Sequence, residues 1–204
     1  MTNETSLTTN IRMHLTLIIG PMFSGKSTNV IRRIRRAQAL GLKTLNITSI
    51  LDNRYDSSSS RIITHDKEYI EALGVKVLEG IELSSEYKEA DLIVIEEAQF
   101  FSGLRGFVMK AIENNGKNVI VAGLNGDSDR APFGEILDLI PMADEIYHLT
   151  ALCKRCDDGC AALFTALVNG SKDGQQICVG GADKYEAMCR RHYLENLKTK
   201  KRPL

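Results

Sequence analysis

Five short apolar segments alternate along this chain with segments of helical periodicity, and this alternation restricts the possible folds most strongly. The apolar segments are rich in Val, Ile and Leu, and they predict strands over residues 13–19, 43–48, 91–96, 118–122 and 145–149. Apolar residues at helical spacing predict helices over residues 26–40, 103–114 and 134–140. Strands that are apolar throughout and separated by helices are typical of a parallel sheet covered on both faces. The sequence therefore predicts an α/β fold.

The alternation ends near Thr150, and the composition changes there. Residues 151–194 are rich in Gly, Cys and Asp and hold too little apolar material for a core of their own. A chain of 204 residues is long enough for one well-buried domain with a small appendage. We expect a main α/β domain over residues 12–150, a small domain over 151–194, and flexible polar tails at 1–11 and 195–204.

The charge balance argues against a polyanionic partner. Lys plus Arg and Asp plus Glu number 26 each, so no global field attracts nucleic acid or a membrane surface. The four arginines within 32–36 are expected on the solvated face of a helix whose buried stripe is Val30, Ile31, Ile34 and Ala37. The apolar runs are too short to cross a bilayer, and the N-terminus has no signal-peptide pattern. These features predict a cytoplasmic protein whose five cysteines are reduced.

The segment GPMFSGKS, from Gly20 to Ser27, matches the eight-position phosphate loop and stands between a predicted strand and a predicted helix. In such a loop the backbone N–H groups converge on anionic oxygens, Lys26 reaches the outer phosphates, and Ser27 can bind Mg²⁺. The alternative is a glycine-rich turn that only links a strand to a helix. The correct flanking pattern favours phosphate binding.

Two adjacent carboxylates end the predicted strand in the segment DLIVIEEAQFF. Glu96 would close the strand and hold the water shell of Mg²⁺, whereas Glu97 lies in a turn and could accept a proton from an attacking group. Two glutamates that merely end a buried strand are the alternative. With a phosphate loop upstream, the sequence favours metal binding and proton transfer.

Cysteine and histidine occur at metal-ligand spacing in the region after Thr150. Cys153 and Cys156 form one pair, and Cys189 and His192 form a second, which together could bind a tetrahedral Zn²⁺. The alternatives are disulfides, or a ligand set in which Cys160 replaces one of the four. Cys178 stands in an apolar stretch, which is more typical of a small core residue.

The ordered set of motifs closely resembles the type II thymidine kinases, a family with a zinc-tethered lasso segment. The resemblance covers about Met13 to Tyr193. It rests on GPMFSGKST, RYDSSSSRIITHD, EEAQFF, PFGEILDLIP, LTALCKRC and GGADKYEAMCRRHY, which occur in the family's order. It implies a P-loop domain followed by a zinc-binding lasso, and transfer of the γ-phosphate of ATP to the 5′-hydroxyl of thymidine and usually of deoxyuridine, with Mg²⁺. It also implies a homotetramer, and thymidine triphosphate as feedback inhibitor.

The resemblance assigns roles to residues of this chain. The ATP and Mg²⁺ site would comprise Gly20, Pro21, Met22, Phe23, Ser24, Gly25, Lys26, Ser27, Thr28 and Glu96, and the catalytic base would be Glu97. The nucleoside pocket would comprise Met22, Phe100, Leu124, Phe133 and Tyr185, with the backbone of Gln176, Ile177, Cys178 and Val179 facing thymine. The zinc ligands would be Cys153, Cys156, Cys189 and His192. Each apolar pocket residue could equally belong to an ordinary core.

The chain departs from the family's usual pattern at several positions. Where the family usually has Asp, this chain has Glu96, and where it usually has an acid, this chain has Asn125. Ser128 replaces an aromatic residue near the nucleoside, and His192 replaces the more usual fourth cysteine. An arginine common after Phe164-Thr165 is replaced by Ala166. Two other function classes are a nucleic-acid-stimulated ATPase and a homologue that only binds its ligands.

Overall fold

A parallel six-stranded sheet forms the centre of the protein in the computed structural model, which describes residues 13–51, 61–64, 66–156, 158–169, 176 and 180–200. Its strands are β1 (His14–Ile19), β2 (Thr44–Ser49), β5 (Leu73–Val75), β6 (Leu92–Ile95), β7 (Asn118–Gly123) and β8 (Glu145–His148). They lie in the order β5-β2-β6-β7-β1-β8, and every neighbouring pair is parallel. The α/β prediction is therefore confirmed. The five predicted strands are present with small shifts at their ends.

Both faces of the sheet are buried, as continuous apolar strands require. Successive side chains of a strand point to opposite faces. Leu17 and Ile93 therefore pack in one core, and their neighbours Ile18 and Val94 pack in the other. The four residues of β6 are all buried. The strand ends that carry the predicted site are thus held on a rigid, two-sided core.

The first helix, α1 (Lys26–Ala39), follows the phosphate loop directly and covers one face of the sheet. Its buried stripe includes Val30, Ile31, Ile34 and Ala37, as predicted. Arg32, Arg35 and Arg36 are exposed and Arg33 is half-buried, which confirms a solvated basic face. The helix ends at Leu40, after which Gly41 adopts a left-handed conformation with φ 79°.

Two predicted helices have a different geometry from the one expected. The segment predicted at 103–114 is an α-helix only over Leu104–Met109, here α3, and widens to a π-helix over Lys110–Asn114. The segment predicted at 134–140 is a 3₁₀-helix over Ile136–Met142 that contains Pro141. Pro141 lacks a backbone N–H and disfavours an extended α-helix through this segment, and short segments of this length are commonly 3₁₀.

Small elements that the apolar pattern did not predict lie between the main ones. Strands β3 (Arg61–Ile63) and β4 (Tyr69–Glu71) form an antiparallel hairpin, and β5 follows at the edge of the main sheet. A short helix, α2 (Ser85–Glu89), begins at Ser84, whose side chain accepts a hydrogen bond from the Tyr87 N–H. These elements are too short to carry a clear periodic signal.

The region after Thr150 consists of two antiparallel strand pairs and one helix. Strand β9 (Ala151–Leu152) pairs with β10 (Ala161–Ala162), and β11 (Phe164–Leu167) pairs with β12 (Tyr185–Met188). Helix α4 (Arg190–Lys200) ends the described chain. The described residues contain no helix long and apolar enough to cross a bilayer.

Helix α4 corrects one expectation about the C-terminal tail. Residues 195–200 belong to the helix, and Asn196 donates a side-chain hydrogen bond to the carbonyl of Leu167 at 3.3 Å. Leu197 also packs against a small core that contains Met188 and Tyr193. The polar composition concealed these anchoring contacts. The predicted tails at 1–11 and 201–204 lie outside the described residues.

Candidate functional site

The predicted phosphate loop joins β1 to α1 and is held in an unusual backbone conformation. Phe23 has φ 65°, a left-handed value that is costly for a residue with a side chain, and Gly25 has φ 79°. A Cβ at Gly20 would collide with the carbonyl oxygen of Leu149, the residue after β8. The Lys26 ammonium donates to the carbonyl of Pro21 at 2.7 Å, so the lysine is folded over its own loop. The loop is therefore compact and preformed.

Ser27 and Glu96 meet although they are far apart in sequence. The Ser27 hydroxyl donates to Glu96 Oε1 at 2.6 Å, and the Glu96 side chain is buried. Strand β7 lies between β1 and β6, so the carboxyl ends of these strands converge at one edge of the sheet. A hydroxyl and a carboxylate are oxygen ligands of the kind that Mg²⁺ prefers.

Glu97 occupies a strained turn immediately after Glu96. It has φ 52° and ψ 40° and precedes a single 3₁₀ turn over Ala98–Phe100. Its residue is 8% exposed, and its Oε2 accepts a hydrogen bond of 2.6 Å from the Gln99 amide. Left-handed conformations of non-glycine residues concentrate at functional sites. The two adjacent glutamates thus have different surroundings, one paired to the phosphate loop and one to Gln99.

Gln99 is a site residue that the sequence analysis missed. Besides donating to Glu97, its amide oxygen accepts from the Leu124 N–H at 3.0 Å. A Cβ at Gly123 would come within 2.5 Å of that amide oxygen, and a Cβ at Gly134 would collide with the Gln99 backbone. The two glycines therefore let β7 and the loop before Ile136–Met142 pack directly against Gln99. The only sequence signal was the pair of glycines, whose meaning depends on this packing.

The predicted apolar pocket residues form two neighbouring groups. Met22 and Tyr185 are buried together with Leu167, and Leu124 packs against them. Phe100 and Phe133 form an edge-to-face pair with ring centroids 5.6 Å apart. Of the predicted lasso backbone, the structure describes Gln176 alone, and Ile177, Cys178 and Val179 lie outside the described residues. The Gln176 amide donates to Asp127 Oδ2 at 3.2 Å and to the carbonyl of Pro132 at 3.0 Å.

Thr165 connects the phosphate loop to the region after Thr150, and the sequence analysis did not identify it. Its buried hydroxyl accepts a hydrogen bond of 2.9 Å from the backbone N–H of Met22. Beside this contact lies a cleft of about 310 Å³, and its lining includes Pro21, Asn125, Asp127 and Thr165. Asn125, which replaces an acid in the resemblance, therefore borders a space next to the phosphate loop.

Ser128 lies at the junction between the loop after β7 and helix α4. It is 7% exposed, and its carbonyl accepts a hydrogen bond of 2.8 Å from the Tyr193 hydroxyl. Its own hydroxyl is buried and has no hydrogen-bond partner among the described residues. The position is therefore already packed, and the loss of the family's aromatic residue has not left an exposed gap at Ser128.

We expect opposite stability changes from Ser128→Ala and Ser128→Phe. The alanine variant removes an unsatisfied buried hydroxyl and should gain about 1 kcal/mol of unfolding free energy. The phenylalanine variant forces a ring into a packed site and should lose about 1–3 kcal/mol. Urea unfolding of both variants beside the parent protein measures these changes. A stable Ser128→Phe variant that binds thymidine more tightly would contradict this account and reveal a gap beside the base.

The four predicted zinc ligands converge at one point. Their ligand atoms lie within 4.8 Å of one another. His192 Nδ1 is 3.4 Å from Cys153 Sγ, 3.3 Å from Cys156 Sγ and 3.5 Å from Cys189 Sγ, and the last two sulfurs are 3.8 Å apart. A tetrahedron with Zn–S bonds of about 2.3 Å has S···S edges of about 3.8 Å. The donor set and its spacing therefore fit a structural zinc ion.

The local electrostatics around these thiols also suit a cation. The backbone N–H of His192 lowers the pKa of the Cys189 thiol. Burial raises the pKa of the Cys156 thiol to about 12, and the neighbouring thiols of Cys153 and Cys189 add to the shift. Without a cation the Cys156 thiol therefore keeps its proton at neutral pH, and metal binding must release it. The four cysteines that the structure describes are all free thiols, so the disulfide alternative is not what forms here.

The sequence was compared with known proteins. The family model described as thymidine kinase matches residues 13–193. A rice protein named thymidine kinase is 40% identical over 183 residues, covering 88% of this chain and 65% of its own length. The human "Thymidine kinase, cytosolic" is 41% identical over 184 residues, covering 90% of this chain and 74% of the human protein. A variola virus thymidine kinase is 41% identical, covering 90% of this chain and 98% of the viral protein.

The family match spans nearly all of the described residues, from the strand before the phosphate loop to Tyr193, the residue after His192. It includes the Ser27–Glu96 contact, the strained Glu97 turn and the Cys/His cluster. The chain belongs to the thymidine kinase family.

Proposed function

We infer that this protein is a thymidine kinase, which transfers the γ-phosphate of ATP to the 5′-hydroxyl of thymidine. The family match over residues 13–193 carries this conclusion. The contact between Ser27 of the phosphate loop and the strand-end Glu96 supports it, because phosphoryl transfer needs a phosphate-binding loop beside a carboxylate. Deoxyuridine is proposed as a second substrate.

The phosphate loop positions ATP through its backbone and one charge. The N–H groups of the loop and the N-terminus of α1 attract phosphate oxygens. Lys26 lies over the same loop and would exchange its contact with the Pro21 carbonyl for contacts with the outer phosphates. Positioning and charge neutralisation supply most of the catalysis in phosphoryl transfer.

Ser27 and Glu96 are proposed to hold Mg²⁺. Their oxygens are 2.6 Å apart, and both are ligands of the right chemistry. When bound, the ion neutralises charge on the phosphates of ATP. Glu96 keeps the charge of the more common aspartate and extends one methylene further toward the loop. The proposed role of Ser27 is to turn its hydroxyl from Glu96 to the metal.

Glu97 is proposed as the catalytic base. It lies one residue beyond the proposed metal carboxylate, in a turn with a left-handed backbone conformation. Gln99 holds one oxygen of this carboxylate, and the carboxylate is proposed to accept the proton of the thymidine 5′-hydroxyl. Met22, Phe100, Leu124, Phe133 and Tyr185 are proposed to enclose the nucleoside.

Cys153, Cys156, Cys189 and His192 are proposed to bind a structural zinc ion that holds the lasso. Residues 12–150 would then form the P-loop domain, and 151–194 the zinc-binding lasso domain. The backbone near 176–179 is proposed to contact thymine. Family resemblance further supports a cytoplasmic homotetramer that thymidine triphosphate inhibits.

We expect the purified protein to contain about one zinc ion per chain. Four ligands of suitable type already lie at tetrahedral spacing, and the small core around them consists mainly of alanine and cysteine. Metal analysis by plasma mass spectrometry on protein that has never met a chelator measures this content. A zinc-free protein with normal activity would contradict the proposal.

Thymidine-dependent consumption of ATP tests the function directly. A kinase consumes one ATP for each thymidine monophosphate formed. The two products, ADP and thymidine monophosphate, can be quantified by chromatography. ATP hydrolysis stimulated by nucleic acid instead of thymidine would indicate a motor-like ATPase. Binding of ATP and thymidine without turnover would indicate a homologue that only binds them.

A further inference from the structure

A fifth potential ligand lies beside the proposed zinc site. The Cys160 sulfur belongs to a group with the Cys156 sulfur and an Asp158 carboxylate oxygen, all within 4.8 Å of one another. Cys160 also packs against the same small core as Cys153 and Cys189. Cys160 is thus a fifth donor of zinc-binding type next to a site that needs four.

The backbone fixes Cys160 close to the site. The Cys153 N–H donates to the Cys160 carbonyl at 2.9 Å, which places the two cysteines opposite each other at the end of the β9–β10 ladder. The thiol is half-buried and makes a weak contact of 3.8 Å to the carbonyl of Ala161. Cys160 is therefore a neighbour of the cluster. Its sulfur makes no strong competing contact among the described residues.

The chain next to Cys160 is open around Gly159. Gly159 adopts φ 74°, and a Cβ built on it would meet no atom within 4 Å. Cys160 Sγ lies within 4.8 Å of Cys156 Sγ but outside the group of four ligands, and sulfurs in a tetrahedral site are about 3.8 Å apart. Cys160 therefore has to move toward the other ligands before it can bind the metal.

His192 differs from the other three ligands in chemistry and in support. It lies in the first turn of α4. Its Nε2 is 3.8 Å from Glu195 Oε2 and 3.4 Å from an Arg191 nitrogen, and Glu195 is exposed. A metal-ligating histidine is normally oriented by a firm hydrogen bond from its second nitrogen, and these contacts are long or exposed. The second ring nitrogen of His192 thus makes only long contacts among the described residues, and none of them fixes the ring firmly.

We propose that Cys160 is a reserve zinc ligand, which takes the fourth coordination position when His192 leaves it. The proposal rests on the zinc site of the proposed function. In the exchange the Zn–N bond to His192 breaks, the Cys160 thiol gives its proton to solvent, and a Zn–S bond forms. Four thiolates, and three thiolates with one histidine, are both established ligand sets of structural zinc sites. The lasso would then stay tied to its zinc while the start of α4 moves.

The test compares zinc retention in four full-length, zinc-loaded proteins: the parent, Cys160→Ser, His192→Ala and the double variant. Each is titrated with a coloured zinc chelator to obtain its zinc affinity. We expect Cys160→Ser to match the parent. His192→Ala should retain about one zinc ion and should bind it more than about tenfold more tightly than the double variant. A tenfold loss of metal affinity is the smaller effect of removing a residue that only supports a ligand, and removing a direct ligand should cost more.

Cobalt substitution gives an independent readout of the ligands. Charge-transfer absorption from thiolate to Co²⁺ grows with the number of sulfur ligands. The Co²⁺ form of His192→Ala should therefore absorb more strongly than that of the parent, and the Co²⁺ form of the double variant should not. His192→Cys with Cys160→Ser is the matched control, since it supplies four thiolates without Cys160 and shows that the hairpin tolerates the change. ATP binding to the phosphate loop reports that each variant is folded.

Equal zinc affinity of His192→Ala and the double variant, with no added thiolate absorption, would overturn the role of Cys160. A parent protein that binds no zinc would instead overturn the zinc site itself. The two failures are therefore distinguishable.

Discussion

Replacement of Glu97 by glutamine is expected to lower the turnover of thymidine phosphorylation by about 10² to 10⁴, the usual contribution of general acid–base catalysis. The amide keeps the size and hydrogen-bonding reach of the carboxylate but cannot accept a proton. The affinities for ATP and thymidine should change far less, because the phosphate loop and the apolar pocket are untouched. Steady-state kinetics with direct binding measurements separate the two effects.

The surroundings of Glu97 make this substitution a clean test. The Gln99 amide donates to the Glu97 carboxylate at 2.6 Å, and the amide oxygen of a glutamine at position 97 can accept the same hydrogen bond. Glutamate and glutamine have the same backbone and nearly the same size, so the left-handed turn at position 97 costs about the same in the parent and in Glu97→Gln. A fall in turnover would therefore report proton transfer, and not collapse of the turn.

Glu96→Gln is the matched control, one residue away and equally buried. It removes charge from the proposed Mg²⁺ ligand, so we expect a higher Mg²⁺ requirement together with slower turnover. Near-normal turnover of Glu97→Gln, with turnover abolished in Glu96→Gln at every Mg²⁺ concentration, would reverse the assignment and make Glu96 the base.

The fold, and the meeting of the polar residues of the candidate site, could be predicted because their signals are local. Strand β6 is a continuous apolar run ended by two acids, and the phosphate loop fits a fixed spacing between a strand and a helix. In a parallel sheet the carboxyl ends of strands share one edge, so the meeting of Ser27 and Glu96 followed from topology. The Cys/His cluster was likewise predictable from ligand spacing.

The remaining parts depend on contacts between residues distant in the sequence. Thr165 matters because it accepts a hydrogen bond from Met22, 143 positions away, and no local pattern marks such a hydroxyl. Gln99 is bridged to Leu124 in the same way. The end of α4 looked like a polar tail because its anchoring contacts, at Asn196 and Leu197, are sparse among charged residues. Tertiary packing, and not propensity, decides these elements.

Cys189→Ser is expected to lower thymidine affinity by about 30-fold or more while ATP affinity stays within a few-fold of the parent. A structural zinc site supplies folding free energy directly, so losing a ligand leaves the lasso to be ordered when thymidine binds. Coupled ordering of such a segment costs about 2–5 kcal/mol, which corresponds to at least about 30-fold in affinity.

The contacts of the lasso explain why thymidine and ATP should respond differently. Cys189 follows β12 directly, and β12 carries Tyr185 into the cluster with Met22 and Leu167. Strand β11, paired with β12, carries Thr165 to the phosphate loop. Loss of the zinc at Cys189 is therefore expected to loosen β12 and with it the apolar wall of the proposed nucleoside pocket. The Lys26–Pro21 and Ser27–Glu96 contacts are both made between residues of the main sheet domain, so we expect ATP binding to depend less on the lasso.

Isothermal titration with thymidine, and separately with a non-hydrolysable ATP analogue, measures the two affinities in the same preparation. Cys160→Ser is the matched control, since it removes a thiol from the same region without removing one of the four proposed ligands. If Cys189→Ser lost both affinities together, the zinc would support the whole fold and not the lasso alone. If neither affinity changed in a variant shown to lack zinc, the lasso would be held by its strand pairing and by the Thr165 hydrogen bond without the metal.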